Sequence, residues 1–417
     1  MPRAHIVGAG LAGLSAAVRL AEAGWKVALY EAGPQAGGRC RSYHDEVLGC
    51  RIDNGNHLLL SGNRSAMAYL RLIGAEDSLE GPETACFPFI DLASGERWAV
   101  RPGRSRIPFW LLDPARRVPG TRLADYATGL ALLRARPSDT VRDLVGRREV
   151  LYRRFWEPLA VAALNTEAAN GAAILLAPVL KETFGRGAAA CRPLIAREGL
   201  SESFVDPALA WLALRGGGLL TGTRVRALGL EGDRVARIEL GSESVAIHAG
   251  DAVVLAVPPP VAGDLLPGLT VPDEFRPIVN AHFRLDAAPV AGIELLGVIG
   301  GTTEWIFRRG SLASVTVSSA THAVDREAED LARTIWAEVA AALGLSGPLP
   351  AWRIVKEKRA TFAQTPTQLA RRPGAATRWR NLALAGDWTD TRLPATIEGA
   401  IRSGENAARL VLNLRNG

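Results

Sequence analysis

"AHIVGAGLAGLSAAVRLAEAGWKVALYEAG", Ala4 to Gly33, decides the fold. It reads as strand, tight turn, helix, strand. The first strand is expected at about Ala4 to Val7. The helix follows at about Leu11 to Ala23, with Leu14, Ala17, Val18 and Ala21 on one face. The second strand spans about Lys26 to Glu31. The glycines fall as Gly8-x-Gly10-x-x-Gly13. Gly8 permits the turn, Gly10 admits a pyrophosphate close to the backbone, and Gly13 lets the helix pack on the strand. A phosphate would then sit at the helix N-terminus, opened by Leu11 and Ala12, where free N–H groups and the dipole favour an anion. Glu31 ends the second strand eighteen residues after Gly13, placed to accept hydrogen bonds from a ribose diol, with Ala32 beside it. Its charge also disfavours a 2′-phosphate.

Working outward, "AGPQAGGRCRS" puts Gly37-Gly38-Arg39 just after Glu31. A glycine pair lets the backbone pass close to a second part of a long cofactor, and Arg39 could contact its diphosphate or ring edge. Next comes "RIDNGNHLLL", Arg51 to Leu60, a carboxylate, two amides and an imidazole set against three leucines. It is either a turn into a buried element or a polar edge facing a cofactor. Far downstream, "LALAGDWTDTRLPATIEGAIRSGENAARLVLNL" gives a short buried strand ending in Gly386-Asp387, then a helix opening at about Ala395. "GTRVRALGLEGDRVARIELGSE" reads as paired strands and "DAVVLAV" as a buried one, Ala252 to Val257.

The chain has 417 residues, more than one core usually supports, so two domains are expected. Hydrophobic content of 48% and charged content of 22% are those of a folded globular protein. Four cysteines show no CxxC spacing, which favours free thiols in a reducing compartment over disulfides or a zinc site; no metal is expected. The strand "RAHIVGAG" begins within three residues of Met1, leaving no room for a signal peptide, and no apolar run is long enough to span a membrane. A cytoplasmic location follows. Residues 101–154 hold thirteen arginines against five acids, a net +8 that exceeds the +6 of the whole chain. Either a GC-rich genome has chosen arginine, or this is a basic face for anionic lipid or an acidic partner. No nucleic-acid recognition motif accompanies the charge, so nucleic acid is not an expected partner.

The glycine fingerprint, Gly37-Gly38-Arg39 and the Gly386-Asp387 segment together resemble the FAD enzymes of the amine oxidase and phytoene desaturase superfamily. The resemblance implies an α/β fold: a Rossmann-like FAD-binding domain with a discontinuous α+β substrate domain. The cofactor domain would comprise 1–100, 200–275 and 375–417, and the substrate domain 101–199 and 276–374. It implies FAD contacts at Gly386, Asp387, Thr396, Ile397 and Gly399, with Val225 covering the adenine. Asn54, Gly55 and Asn56 would approach the flavin ring, and His57 would lie near the flavin or the reacting carbon. Glu398 is left open between helix surface and flavin edge.

Within that superfamily "DNGNHLLLSGN", "FWEPLAVAALNT" and "TEWIFRRG" look like the hydroxysqualene dehydroxylases of hopanoid biosynthesis, nearly end to end. The implied reaction is loss of an allylic hydroxyl, with hydride from reduced FAD, to give squalene. A desaturase of squalene or a carotenoid precursor is the alternative, and a non-enzymatic lipid carrier the rival of another class. Trp156, Trp305, Phe307, Phe155 and Leu159 are candidates for an apolar substrate wall, or ordinary core. Candidates for the proton donor are His57, Glu157, Asp53 and Glu294; Glu157 could equally be structural, paired with Arg153 or Arg154. The implied partners are the isoprenoid hydroxysqualene, an anionic membrane surface, the preceding synthase and an electron donor without a fingerprint in the chain. "RPGRSRIPFWLLDPARR", Arg101 to Arg117, is either a membrane anchor or a loop over the substrate domain.

Overall fold

A computed structural model describes residues 1–286 and 290–413. Its first layer is a five-stranded parallel sheet, ordered Gly218–Leu220, Lys26–Tyr30, Arg3–Val7, Ala252–Leu255, Leu382–Leu384. Every pairing is parallel. Ala252–Leu255 and Leu382–Leu384 are buried at every position, as strands covered on both faces must be. The first helix, Leu11–Glu22, and the last, Ile397–Asn413, pack together on one face. They approach so closely that a Cβ on Gly404 would lie 2.2 Å from the Ala12 carbonyl oxygen. Ser15 Oγ donates to the Ile401 carbonyl at 2.8 Å, and Ser403 Oγ accepts the Gly386 N–H at 2.8 Å. The last helix therefore fixes the turn at Gly386. The paired strands expected near 225–245 are Ala227–Glu231 and Arg234–Glu239, antiparallel.

The second layer is a seven-stranded sheet, ordered Trp352–Phe362, Phe275–Arg284, Leu312–Val317, Trp305–Gly310, Val290–Ile299, Phe87–Asp91, Arg97–Val100. The last two strands fall inside the 1–100 stretch that the sequence reading grouped with the cofactor layer. Phe87–Asp91 pairs with Val290–Ile299, through Gly297, Val298 and Ile299, and Arg97–Val100 pairs in turn with Phe87–Asp91. The helix Ala328–Leu343 covers one face with Leu331, Ile335, Trp336 and Val339. Short helices from residues 109–186 cover the other, in an aromatic cluster that takes in Phe89, Trp98, Tyr152, Phe155, Trp156, Trp305 and Phe307. Alternation along Trp305–Gly310 sends Trp305 and Phe307 to that cluster and Ile306 to the helix side.

Two π-helical turns, Tyr152–Trp156 and Ser201–Val205, each run into a helix with proline at its second position, Pro158 and Pro207. A proline supplies no N–H and its ring crowds the carbonyl four residues back, so the preceding turn widens. The second π turn begins beside Leu200, whose N–H enters the site described next.

Candidate active site

The glycine loop has two jobs, divided among its residues. A Cβ on Gly8, at φ 101°, would lie 2.4 Å from the Ala256 carbonyl oxygen. One on Gly13 would lie 1.9 Å from the Gly8 oxygen. The fold itself demands these two. A Cβ on Gly10 would meet no protein atom within 4 Å, so the fold makes no such demand there. Gly10 caps the first helix with no side-chain hydrogen bond, which leaves the first-turn N–H groups available to an anion. Gly37 donates to the Ala9 carbonyl at 2.8 Å and bridges to Gly10, laying the second glycine pair over the first loop. Glu31 accepts the Ala9 N–H at 2.9 Å and the Gly33 N–H at 2.7 Å, one per carboxylate oxygen. Each oxygen keeps a lone pair for a diol. Thr223 N–H bonds the Glu31 carbonyl at 2.8 Å and so brings the loop carrying Val225 alongside. These features fit the diphosphate and ribose of a dinucleotide.

Arg39 joins the two ends of the chain. It donates to Asp387 Oδ1 at 2.8 Å and to the Ala360 carbonyl. The Asp387 charge raises the Arg39 pKa further. Buried Arg372 gathers the following loop by donating to the carbonyls of Asp387, Trp388, Thr389 and Leu393.

The polar stretch before the leucines is held from behind by the larger sheet. Asn280 donates to the Asn54 carbonyl and accepts the Asn56 N–H, both at 3.4 Å. Asn56 Nδ2 donates to Thr316 Oγ1 at 3.2 Å. Asn54 N–H bonds the Arg41 carbonyl at 2.9 Å. A Cβ on Gly55 would press on Asn280 Nδ2 at 3.2 Å.

A small pocket of about 20 Å³ lies against this stretch, lined by Asp53, Asn56, His57, Ile195, Ala196, Leu200, Phe307, Arg309 and Ser314. That is room for one water-sized group. Asp53 Oδ1 accepts Ser42 Oγ at 2.6 Å and the Leu200 N–H at 2.9 Å. Its other oxygen faces Arg309 at 3.8 Å. Burial raises the Asp53 pKa, against the lowering pull of Ser42, Leu200 and Arg309. Burial first, then the Arg39 charge, lowers His57 to about 4, so its imidazole is neutral at pH 7. His282, bonded through Nδ1 to Oγ of the pocket-lining Ser314 at 2.8 Å, is likewise lowered by burial to about 4.

Comparison with known proteins now bears on this geometry. Residues 11–412 match the model of the flavin containing amine oxidoreductase family. A hydroxysqualene dehydroxylase from Rhodopseudomonas palustris is 52% identical over 98% of this chain and 98% of its own.

The chain belongs to the hydroxysqualene dehydroxylase family.

A probable zeta-carotene desaturase from Synechococcus elongatus, aligned over 98% of both chains, is 26% identical. The fold is shared with an oxidoreductase from Methanosarcina mazei, at TM-score 0.73 and 15% identity, covering 98% of this chain and 100% of that one. The chain is thus an FAD-dependent oxidoreductase of the dehydroxylase family.

In this dehydroxylase the expected donor candidates separate. Asp53 and His57 share the pocket. Glu157 does not line it; its carboxylate accepts from Tyr152 Oη at 3.1 Å. Arg154, one of its two expected partners, pairs instead with Asp91 at 3.4 Å and Glu96 at 2.6 Å. Glu294 is exposed and pairs across strands with Arg308 at 3.3 Å. Of the expected wall, Phe307 reaches the pocket. Trp156 packs on Phe155 with ring centroids 4.8 Å apart, and Trp305 on Phe89 at 5.4 Å, in the same cluster but not lining the pocket. Thr396 Oγ1 accepts the Gly399 N–H at 3.1 Å at the start of the last helix, and Ile397 is buried in the core. Glu398 is not on an exposed helix surface. It is buried and accepts the Ser65 and Ala66 N–H groups at 3.0 and 2.8 Å, capping the helix Arg64–Leu72. Arg309 was missed, though it continues the Trp305, Phe307 alternation by one step.

Proposed function

We propose that the chain removes the allylic hydroxyl of hydroxysqualene to give squalene, and that the small pocket receives the departing oxygen. The pocket itself carries this reading. It is water-sized, holds one carboxyl of raised pKa, and opens against an apolar aromatic cluster. Bound FAD in its reduced form supplies the hydride that replaces the hydroxyl. The chain's own groups handle the proton and the charge. Asp53 protonates the leaving oxygen from the carboxyl oxygen that Ser42 and Leu200 leave free. Arg309 then stabilises the carboxylate that remains. Neutral His57 orients the oxygen by hydrogen bonding and adds no positive charge beside an allylic cation. Phe307 and Ile195 keep bulk water from that cation. Alcohol, proton and hydride become alkene-bearing hydrocarbon and water.

FAD contacts are proposed at Gly8, Gly10, Leu11, Ala12, Gly13, Glu31, Ala32, Gly38, Arg39, Asn54, Gly55, Asn56, His57, Val225, Gly386, Asp387, Thr396 and Ile397. The substrate would come from an anionic membrane surface or from the preceding synthase, and a separate donor would reduce the flavin. Paired incubations test the direction of the reaction. Hydroxysqualene with chemically reduced enzyme should yield squalene by mass analysis, and squalene with oxidised enzyme should stay unchanged. Dehydrogenated products from the second incubation, and none from the first, would establish the desaturase instead.

A further inference from the structure

Among the described residues, eleven large apolar side chains are exposed, and seven of them fall between 107 and 150: Ile107, Phe109, Leu112, Leu123, Leu130, Leu133 and Val150. Such clustering is what a docking surface shows, since single exposed apolar residues need no explanation.

The segment Arg101 to Arg117 shows how the tip is built. Phe109–Leu112 is a 3-10 turn, so residues three apart share a face. Phe109 and Leu112 are 59% and 64% exposed, and Ile107 just before them 60%. Trp110 and Leu111 turn inward. Trp110 lies over Gly103 and meets Tyr126 edge-on at 6.3 Å. Arg116 ties the base of the loop by donating to the Arg101 carbonyl at 2.8 Å. Asp113, the one acid in the segment, accepts the Ala115 N–H at 3.0 Å. Arg104 and Arg106 before the tip, and Arg122, Arg134 and Arg136 after it, are exposed, and none pairs with a carboxylate among the described residues. An apolar tip flanked in sequence by exposed guanidinium groups without carboxylate partners matches a bilayer interface with anionic headgroups. Arginine stems can lie along acyl chains while their heads meet phosphate.

We infer that this face docks on an anionic lipid bilayer, with Ile107, Phe109 and Leu112 inserted below the headgroups. The tip and the pocket border one packed apolar cluster. Trp110 and Tyr126 pack on the same apolar cluster that contains Phe307, a wall of the pocket beside Asp53 and His57. That a long apolar substrate passes from the bilayer to the pocket rests on the proposed function; the docking itself does not.

Flotation of the full-length, FAD-loaded protein with phosphatidylcholine vesicles, with and without 30% phosphatidylglycerol, tests the docking without any substrate. Wild type should float with the anionic vesicles and release as salt rises. The triple variant Ile107→Ser, Phe109→Ser, Leu112→Ser should bind them at least tenfold more weakly. The pair Arg104→Gln, Arg106→Gln should lose the preference for anionic over neutral vesicles. Both variants should keep bound FAD, which separates lost docking from lost folding. Wild type left at the bottom of the gradient would overturn the inference, as would a triple variant that floats equally well. The first result would make the face a protein-docking surface or a bare lid.

Discussion

Asp53→Asn isolates the proton from the scaffold. Asp53 is 8% exposed and its Oδ1 accepts two hydrogen bonds, from Ser42 Oγ and the Leu200 N–H. An asparagine oxygen keeps both. Alanine would strand two buried donors, at about 1–3 kcal/mol each. Asparagine instead turns an N–H group toward Arg309, which sits 3.8 Å from the present carboxylate oxygen, and gives up an attraction that a quarter-exposed guanidinium keeps modest. The loss in stability should therefore stay near 1–2 kcal/mol, with FAD retained. The rate should fall much further. A positioned general acid contributes about 10²- to 10⁴-fold, or roughly 3–5 kcal/mol of barrier. Single-turnover squalene formation by the chemically reduced variant, with flavin content read from its absorbance, measures both effects. The pH profile adds a sign. Burial raises the Asp53 pKa, so the protonated, active form is lost as pH rises through that value. The same group adds stability at low pH that disappears over the same rise. Wild-type rates should fall with pH there and the variant's should not. A variant that turns over within threefold of wild type would remove Asp53 from the chemistry.

Gly10→Ala should fold and lose most of its FAD, because the new Cβ meets no protein atom, whereas Gly13→Ala should fail to fold, its Cβ being 1.9 Å from the Gly8 oxygen. Soluble yield and bound flavin distinguish them. Glu398→Ala should cost about 3 kcal/mol in denaturant unfolding, because it uncaps a helix and leaves Arg402 with one acid, Glu182, in place of two. His5 and His282 are almost fully buried, and burial lowers each from 6.5 to about 4. Their depressed values give stability that is present above about 6.5 and drains away as pH falls toward 4, worth roughly 3 kcal/mol for each. The thermal midpoint should drop across that window, and His282→Gln should flatten part of the drop.

The nucleotide loop was legible because its physics is local. Gly8, Gly10, Gly13 and Glu31 lie within one strand–helix–strand unit, where spacing alone fixes what each residue can touch. The chemistry of the pocket is not local. Asp53 meets Leu200 and Arg309, contributed by segments 147 and 256 residues away, and only the folded sheets bring them together. Glu398 stayed undecided for the same reason: its partners, Ser65 and Ala66, lie in the first turn of a helix more than 330 residues upstream. Glu157 stood open in sequence between a donor and a structural role; a widened turn ahead of Pro158 aims Tyr152 at it and leaves Arg154 to Asp91 and Glu96. Arg309 was within reach of sequence reasoning. Period two along "WIFRR" puts it on the face of Trp305 and Phe307.

The most direct test of the account is a single turnover in D2O under anaerobic conditions, with the flavin reduced in place and hydroxysqualene added. Flavin oxidation and squalene should appear together, one for one, with one deuterium at the carbon that carried the hydroxyl, since the flavin hydride exchanges with solvent. Flavin that stays reduced while hydroxysqualene is recovered unchanged, or squalene formed without deuterium, would contradict it.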